Sequence, residues 1–259
     1  MTERSQLIAI ASGKGGVGKT WFAATLAHAL AMQRLRVLLV DGDLGLANVD
    51  IQLGVMPKYD LGHVLSLAQV AAAAIVKIPA GGFDLLAGRS GSGALAVLDP
   101  ASLERLSDIL NETKQLYEAT LLDCGAGLDP AAQLMVETAD ILLLMITEDP
   151  TSLTDAYAVL KCLLMARKGD APDVRVVVNM AGSPAAGLRA FETLANATAG
   201  FLNFRPALAG IIRRDDRVRE AIRRQSLLLA RAPQSIAGHD VEQIALKLRD
   251  KVGARMLHV

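Results

Sequence analysis

Residues Gly13-Lys14-Gly15-Gly16-Val17-Gly18-Lys19-Thr20 fit the pattern G-x-x-x-x-G-K-[ST]. They lie between a short apolar run, Leu7–Ala11, and a helical pattern, Trp21–Gln33. A glycine-rich turn between strand and helix constrains the fold more than any other stretch of this chain. Its glycines let successive backbone N–H groups converge on a phosphate at the positive end of the following helix. Lys19 is then placed to reach the β- and γ-phosphates of ATP, and the Thr20 hydroxyl to ligate Mg²⁺.

The rest of the chain supplies more strands and helices of the same kind. Strands are predicted at Leu7–Ala11, Val37–Val40, Phe83–Leu86, Ala119–Leu122, Ile141–Ile146, Val174–Val178 and Leu208–Ile212. Helices are predicted over Trp21–Gln33, from the Asp99-Pro100 start to Tyr117, and over Thr151–Arg167, Ala185–Gly200, Asp216–Gln225 and Pro233–Met256. Unbroken apolar strands suit a sheet covered on both faces. The alternation predicts a doubly wound α/β fold, mostly parallel, with helices on both faces. Without a Ser- or Pro-rich linker or a repeat, residues 1–259 read as a single domain.

Composition removes several function classes. Twenty-seven Lys+Arg balance 27 Asp+Glu, against a bulk-charge coat for nucleic acid, and 3% aromatic residues leave little for base stacking. Cys124 and Cys162 form neither a CxxC nor a disulfide framework. Leu7–Ala11 is too short for a signal peptide, and the longest apolar run, Val70–Val76, is well below the ~18 residues of a spanning helix. The expectation is a soluble protein of a reducing cytoplasm.

Two further segments carry chemistry. Asp41-Gly42-Asp43-Leu44-Gly45-Leu46-Ala47-Asn48-Val49-Asp50 follows the second strand, where carboxylates reach the ligand edge of a parallel sheet. One such carboxylate can hold magnesium-bound water and the other can orient an attacking water. Leu121-Leu122-Asp123 runs into Cys124-Gly125-Ala126-Gly127, a Walker-B-like strand end followed by a glycine loop. Asp123 there suits the magnesium shell, while Cys124 reads as a small packing residue.

Lys14 makes the loop more specific. The KGGVGKT form, Lys14–Thr20, resembles the deviant Walker A loop of the MinD/ParA class of P-loop ATPases. The resemblance implies a Mg-ATP-dependent homodimer in which Lys14 reaches across to the partner's nucleotide and hydrolysis dissolves the pair. It places Asp43 at the catalytic switch-I position, also near Mg²⁺, with Asp41 and Asn48 supporting it, and makes Asn179 the adenine reader. The expected catalytic residues are Lys14, Lys19 and Asp43. ATP or ADP would be bound by Gly13 to Thr20, Trp21 and Asn179, and Mg²⁺ by Thr20, Asp43 and Asp123. Two positions depart from the pattern. Trp21 replaces the usual Thr, Ser or Asn, and is read first as packing and second as a nucleotide contact. Ile212-Arg213-Arg214-Asp215 lacks the family's proline, which bears on the shape of the adenine pocket.

Several stretches are similar to the FlhG/FleN flagellar-regulator branch: Asp41–Gly54, Tyr59–Leu65, Asp123–Gly127, Asp149–Lys161 and Asp215–Gln225. The branch implies control of flagellar number or placement through an assembly factor, a GTPase or a transcriptional activator. Met1–Gln6 do not match the DQAxxLR segment of many members, so stimulation of a partner GTPase is not carried over. The alternatives are a ParA-like DNA-positioning ATPase and a nucleotide-binding scaffold with little hydrolysis. Arg205, Arg213, Arg214, Arg217, Arg219, Arg223, Arg224 and Arg231 would serve the DNA reading, or pair locally on a solvated face. Val241, Ile244, Ala245, Leu248, Val252 and Met256 form one apolar stripe within the 233–259 segment, fit for docking on the sheet or for peripheral contact with the inner membrane face or the cell pole.

Overall fold

The structure, a computed structural model, describes residues 5–67, 69–88, 99–127, 129–167 and 173–253, and their side chains except for 250–253. Eight strands form one sheet: β1 Gln6–Ser12, β2 Val37–Gly42, β3 Ile75–Ile78, β4 Phe83–Leu86, β5 Ala119–Ala126, β6 Ile141–Ile146, β7 Asp173–Ala181 and β8 Ala207–Arg213. Their order is β3-β4-β2-β5-β1-β6-β7-β8. Every neighbouring pair is parallel except β3–β4, where Ile75 opposes Leu86 in antiparallel register.

The helices are α1 Lys19–Met32, α2 Val49–Leu53, α3 Leu61–Leu65, α4 Ala71–Ala74, α5 Pro100–Leu116 and α6 Pro130–Thr138. They continue with α7 Pro150–Ala166, α8 Pro184–Leu202, α9 Asp216–Arg223, α10 Leu228–Arg231 and α11 Ile236–Gly253. Side chains alternate along each strand, so β1 feeds two cores. Leu7, Ala9 and Ala11 pack with residues of α5, α6, α7 and α8. Ile8 and Ile10 pack on the other face with α1, α10 and α11. This is the doubly wound arrangement that the apolar runs predict, and it places the C-terminal ends of β1, β2 and β5 side by side.

Several elements depart from the sequence reading, which did not predict the short helices α2, α3 and α10. The Val70–Val76 run is neither loop nor long helix: it splits into α4 and the start of β3. Helix α6 follows an Asp129 cap with proline at its first position, the same start signal that opens α5. The predicted Pro233–Met256 helix begins at Ile236, because the Ser235 hydroxyl accepts the Gly238 N–H at 3.1 Å and so caps the chain there; Met256 lies outside the described residues. Val241, Ile244, Ala245 and Leu248 are at most 1% exposed. This part of the apolar stripe packs on the sheet and α1, the docking that is the first of its two readings; the side chains of Val252 and Met256 lie outside those described.

Candidate functional site

Strand β1 ends at Ser12 and α1 begins at Lys19. Between them Gly16 and Gly18 hold φ of +78° and +92°, which only glycine adopts at no cost. Gly13 is small for a different reason: a Cβ there would lie 2.4 Å from the backbone carbonyl of Asp155 in α7. The Ser12 hydroxyl donates to the Lys14 carbonyl at 2.7 Å and accepts the Lys19 ammonium at 2.9 Å. Lys19 is therefore aimed back along the loop, 9% exposed and facing the carboxylates of Asp123 and Asp43. Burial lowers its pKa, and those two carboxylates oppose the shift.

Parallel pairing brings the acids together. Asp123 of β5 is in register with Asp41 of β2 and with Ile10 of β1. Asp41 is 1% exposed. Its Oδ2 accepts the N–H groups of Asn48 and Val49, both at 3.0 Å, and its Oδ1 accepts that of Asp43 at 3.2 Å. Asp41 thus braces the loop that carries Asp43. The Asp43 carboxylate in turn accepts the Leu46 N–H at 2.9 Å and lies 3.5 Å from where a side chain on Gly125 would begin. The Thr20 hydroxyl lies beside Asp123 and pulls its pKa down, and Asp123 Oδ1 is buried with no partner. Burial, then the charge of Asp41, pushes the Asp123 carboxyl up to about 8, against the pull of Thr20 and Lys19. Asp41 is raised to about 7, again by burial first, while its three backbone donors oppose the shift.

Asn179 closes the site from β7. It is 1% exposed, and its amide donates to the Val17 carbonyl at 2.7 Å, leaving the amide oxygen and a second N–H for another group. A cavity of about 120 Å³ opens beside it, lined among others by Trp21, Met180, Arg213, Arg214 and Val218. A Cβ on Gly18 would come within 2.5 Å of both Asn179 Nδ2 and Trp21 Nε1, so the loop, indole and amide are in close contact. Trp21 is 5% exposed within the core and also walls this cavity. Where the family pattern has proline, Arg213 binds Asp240 of α11 through Nε at 2.9 Å, Nη2 at 2.7 Å and its backbone N–H at 3.0 Å. That triple contact fixes the cavity wall by other means.

Lys14 does not join this cluster. Its ammonium is exposed and donates to the Thr151 hydroxyl at 2.9 Å, on the first turn of α7 in the same chain. Cys124 is buried, its thiol pKa raised by that burial, in keeping with a packing role. Ser12, Thr151 and Asp240 are site residues that sequence reasoning passed over. Thr151 stood inside a recognised branch stretch, but nothing in the sequence paired it with Lys14.

Among the described residues no group of three or more His, Cys, Asp or Glu could hold a metal ion alone. A magnesium ion here would share its shell between few protein oxygens and bound phosphate, its usual habit at nucleotide sites. Part of the arginine-rich stretch is engaged locally: Arg205 pairs with Glu192, Arg213 with Asp240 and Arg231 with Glu220, and Arg217 donates to the Gln234 carbonyl. No described helix is long and apolar enough to cross a membrane.

Known proteins resemble this chain. Residues 8–228 match the CobQ/CobB/MinD/ParA nucleotide binding domain. The chain is 35% identical to the antiactivator FleN of Pseudomonas aeruginosa, over 94% of this chain and 86% of that protein. It is 29% identical to the flagellum site-determining protein YlxH of Helicobacter pylori, over 98% and 85%. The septum site-determining protein MinD of Pyrococcus horikoshii, solved with Mg-ADP, superposes with a TM-score of 0.81 at 25% identity, over 97% and 98%.

Proposed function

The chain belongs to the CobQ/CobB/MinD/ParA family of P-loop ATPases, which use ATP and Mg²⁺, and from that premise we propose a switch that pairs two copies on ATP and controls flagellar number or placement. The observation that carries the reading is the partnerless buried oxygen of Asp123, set beside Thr20 and Lys19 under a glycine loop. Lys19 supplies fixed positive charge where the γ-phosphate gathers charge in transfer. Thr20, Asp123 and Asp43 would hold Mg²⁺, which when bound neutralises the β- and γ-phosphate oxygens. Asp43, on a loop braced by Asp41, would orient the attacking water. The water oxygen would bond to the γ-phosphorus as the bond from that phosphorus to the β–γ bridging oxygen breaks, ADP leaving with that oxygen and the water's proton passing to the released phosphate. Asn179 and Trp21 would flank the base.

Lys14 would leave Thr151 and reach the partner's nucleotide when two copies meet. Likeness to the antiactivator FleN and to a flagellum site-determining protein, each across most of its length, supports a flagellar partner protein. The ParA-like DNA reading has less support, because Arg205, Arg213 and Arg231 are held in local ion pairs. Size-exclusion chromatography of wild type and Asp43→Ala, each with ADP and with ATP, tests the switch. The expected result is a dimer only with ATP, persisting in Asp43→Ala because it no longer hydrolyses. Monomers throughout, at high protein concentration, would sink the proposal.

A further inference from the structure

The two stretches Asp41–Gly54 and Asp215–Gln225 meet in the fold. The Gln225 side chain donates from Nε2 to the Ile51 carbonyl at 2.8 Å, across 174 residues. Gln225 holds φ +48°, a left-handed state that penalises a residue with a Cβ. Opposite it, Gly54 closes α2 at φ +66°, and a Cβ on Gly54 would approach the Gln225 Cβ to 3.2 Å. Both backbones are bent to allow this approach.

Each end of the contact leads to the nucleotide site. At the N-terminal end of α2, the Asp41 carboxylate binds the N–H groups of Asn48 and Val49 and also that of Asp43. On the other side, Gln225 follows α9, whose Asp216, Val218 and Arg219 line the base cavity. A narrow crevice between α1, α2, α9 and α10 is lined by Trp21, Gln52, Leu53, Val218, Ile222 and Leu227, and Trp21 and Val218 line the base cavity as well. Helix α2 is thus a short rod, held by Asp41 at one end and Gln225 at the other.

We propose that Gln225 is a positioning residue that couples occupancy of the base cavity to the Asp43–Asn48 loop. A seated base restrains α9, Gln225 passes that restraint to α2, and Asp41 passes it to the loop carrying Asp43. The inference rests on the nucleotide reading of the cavity. It would let the enzyme hold Asp43 in place only when a whole nucleoside is bound.

Amide hydrogen exchange of the full chain over residues 43–54, with and without Mg-ADP, tests the coupling in wild type and Gln225→Gly. ADP is the probe because it lacks the γ-phosphate that would act on Asp43 directly. Glycine keeps the left-handed backbone while removing the amide, so the fold is preserved. ADP should slow exchange across Val49–Leu53 roughly five-fold in wild type, about the worth of one hydrogen bond. It should not do so in Gln225→Gly, with ADP affinity unchanged in both. Gln225→Lys, which restores an N–H donor, should recover part of the protection. Equal protection in wild type and Gln225→Gly, or none in either despite ADP binding, overturns the coupling alone. Failure of wild type to bind ADP, read by Trp21 fluorescence, removes the nucleotide reading and this inference with it.

Discussion

Ile244 of α11 is 1% exposed, and its Cγ1 and Cδ1 lie 2.6 and 2.9 Å from where a Cβ on Gly210 of β8 would stand. The isoleucine occupies the space that the glycine leaves. Ile244→Ala deletes three buried carbons; at about 0.8 kcal/mol each, plus the cavity left behind, the loss is about 3 kcal/mol. In a chain of 259 residues each kcal/mol shifts Tm by about 2–4 °C, so thermal denaturation should show a fall of roughly 6–12 °C. Gly210→Ala alone should also destabilise, by about 1–3 kcal/mol, because a buried isoleucine cannot swing aside. Combined, the two changes should cost less than their sum, since the new methyl enters the space vacated by the old side chain. A stripe kept free for lipid would behave otherwise. If Ile244→Ala lowers Tm by less than about 2 °C and Gly210→Ala is neutral, α11 is not docked as described. Strict additivity in the double variant would refute the contact itself.

Two further outcomes follow from the site. Thr151→Val removes the hydroxyl that holds Lys14 in its own chain, and should raise the ATP-dependent dimerisation constant about 5- to 150-fold, the range for one hydrogen bond released in each of two copies, while Lys14→Ala lowers it. Analytical ultracentrifugation reads both, and equal constants for wild type and Thr151→Val would show that the contact restrains nothing. Without nucleotide or Mg²⁺, Asp41 and Asp123 keep protons up to about pH 7 and 8, whereas their unfolded value is 3.8. The folded state therefore binds more protons in that window, and stability should fall as pH rises from 3.8 towards 8. Asp123→Asn should flatten the decline in Tm; an unchanged slope would mean that the pair does not hold those protons.

What the sequence made legible was what local rules encode. Unbroken apolar runs announced β1, β2 and β6, and runs broken by one polar residue, Thr120 and Arg175, announced β5 and β7, since a strand covered on both faces needs no polar alternation. Asp99-Pro100 announced α5, and the same rule, applied at Asp129-Pro130, would have found α6. The short edge strand β3 was hidden because it shares an apolar run with α4, and no Gly or Pro separates them. The acids Asp41, Asp43 and Asp123 were legible as strand-end carboxylates. Their division of labour was not, because it depends on which backbone N–H groups fold onto Asp41.

The departures from the family pattern show why position alone does not define a site. Losing the proline at Arg213 raised a question about the cavity wall, and the answer lies 27 residues away in Asp240, which binds that arginine through three donors. Trp21 takes the place of a small polar residue, yet core packing and cavity lining proved compatible, because an indole is long enough to bury one edge and present the other. Lys14 is the sharpest case. The family resemblance implies a residue for the partner's nucleotide, while in the isolated chain its ammonium rests on Thr151. Both statements hold if the lysine exchanges one oxygen ligand for another on dimerisation. The free energy of pairing then includes a contact broken in each copy, so the strength of the resting contact sets how readily ATP brings two copies together.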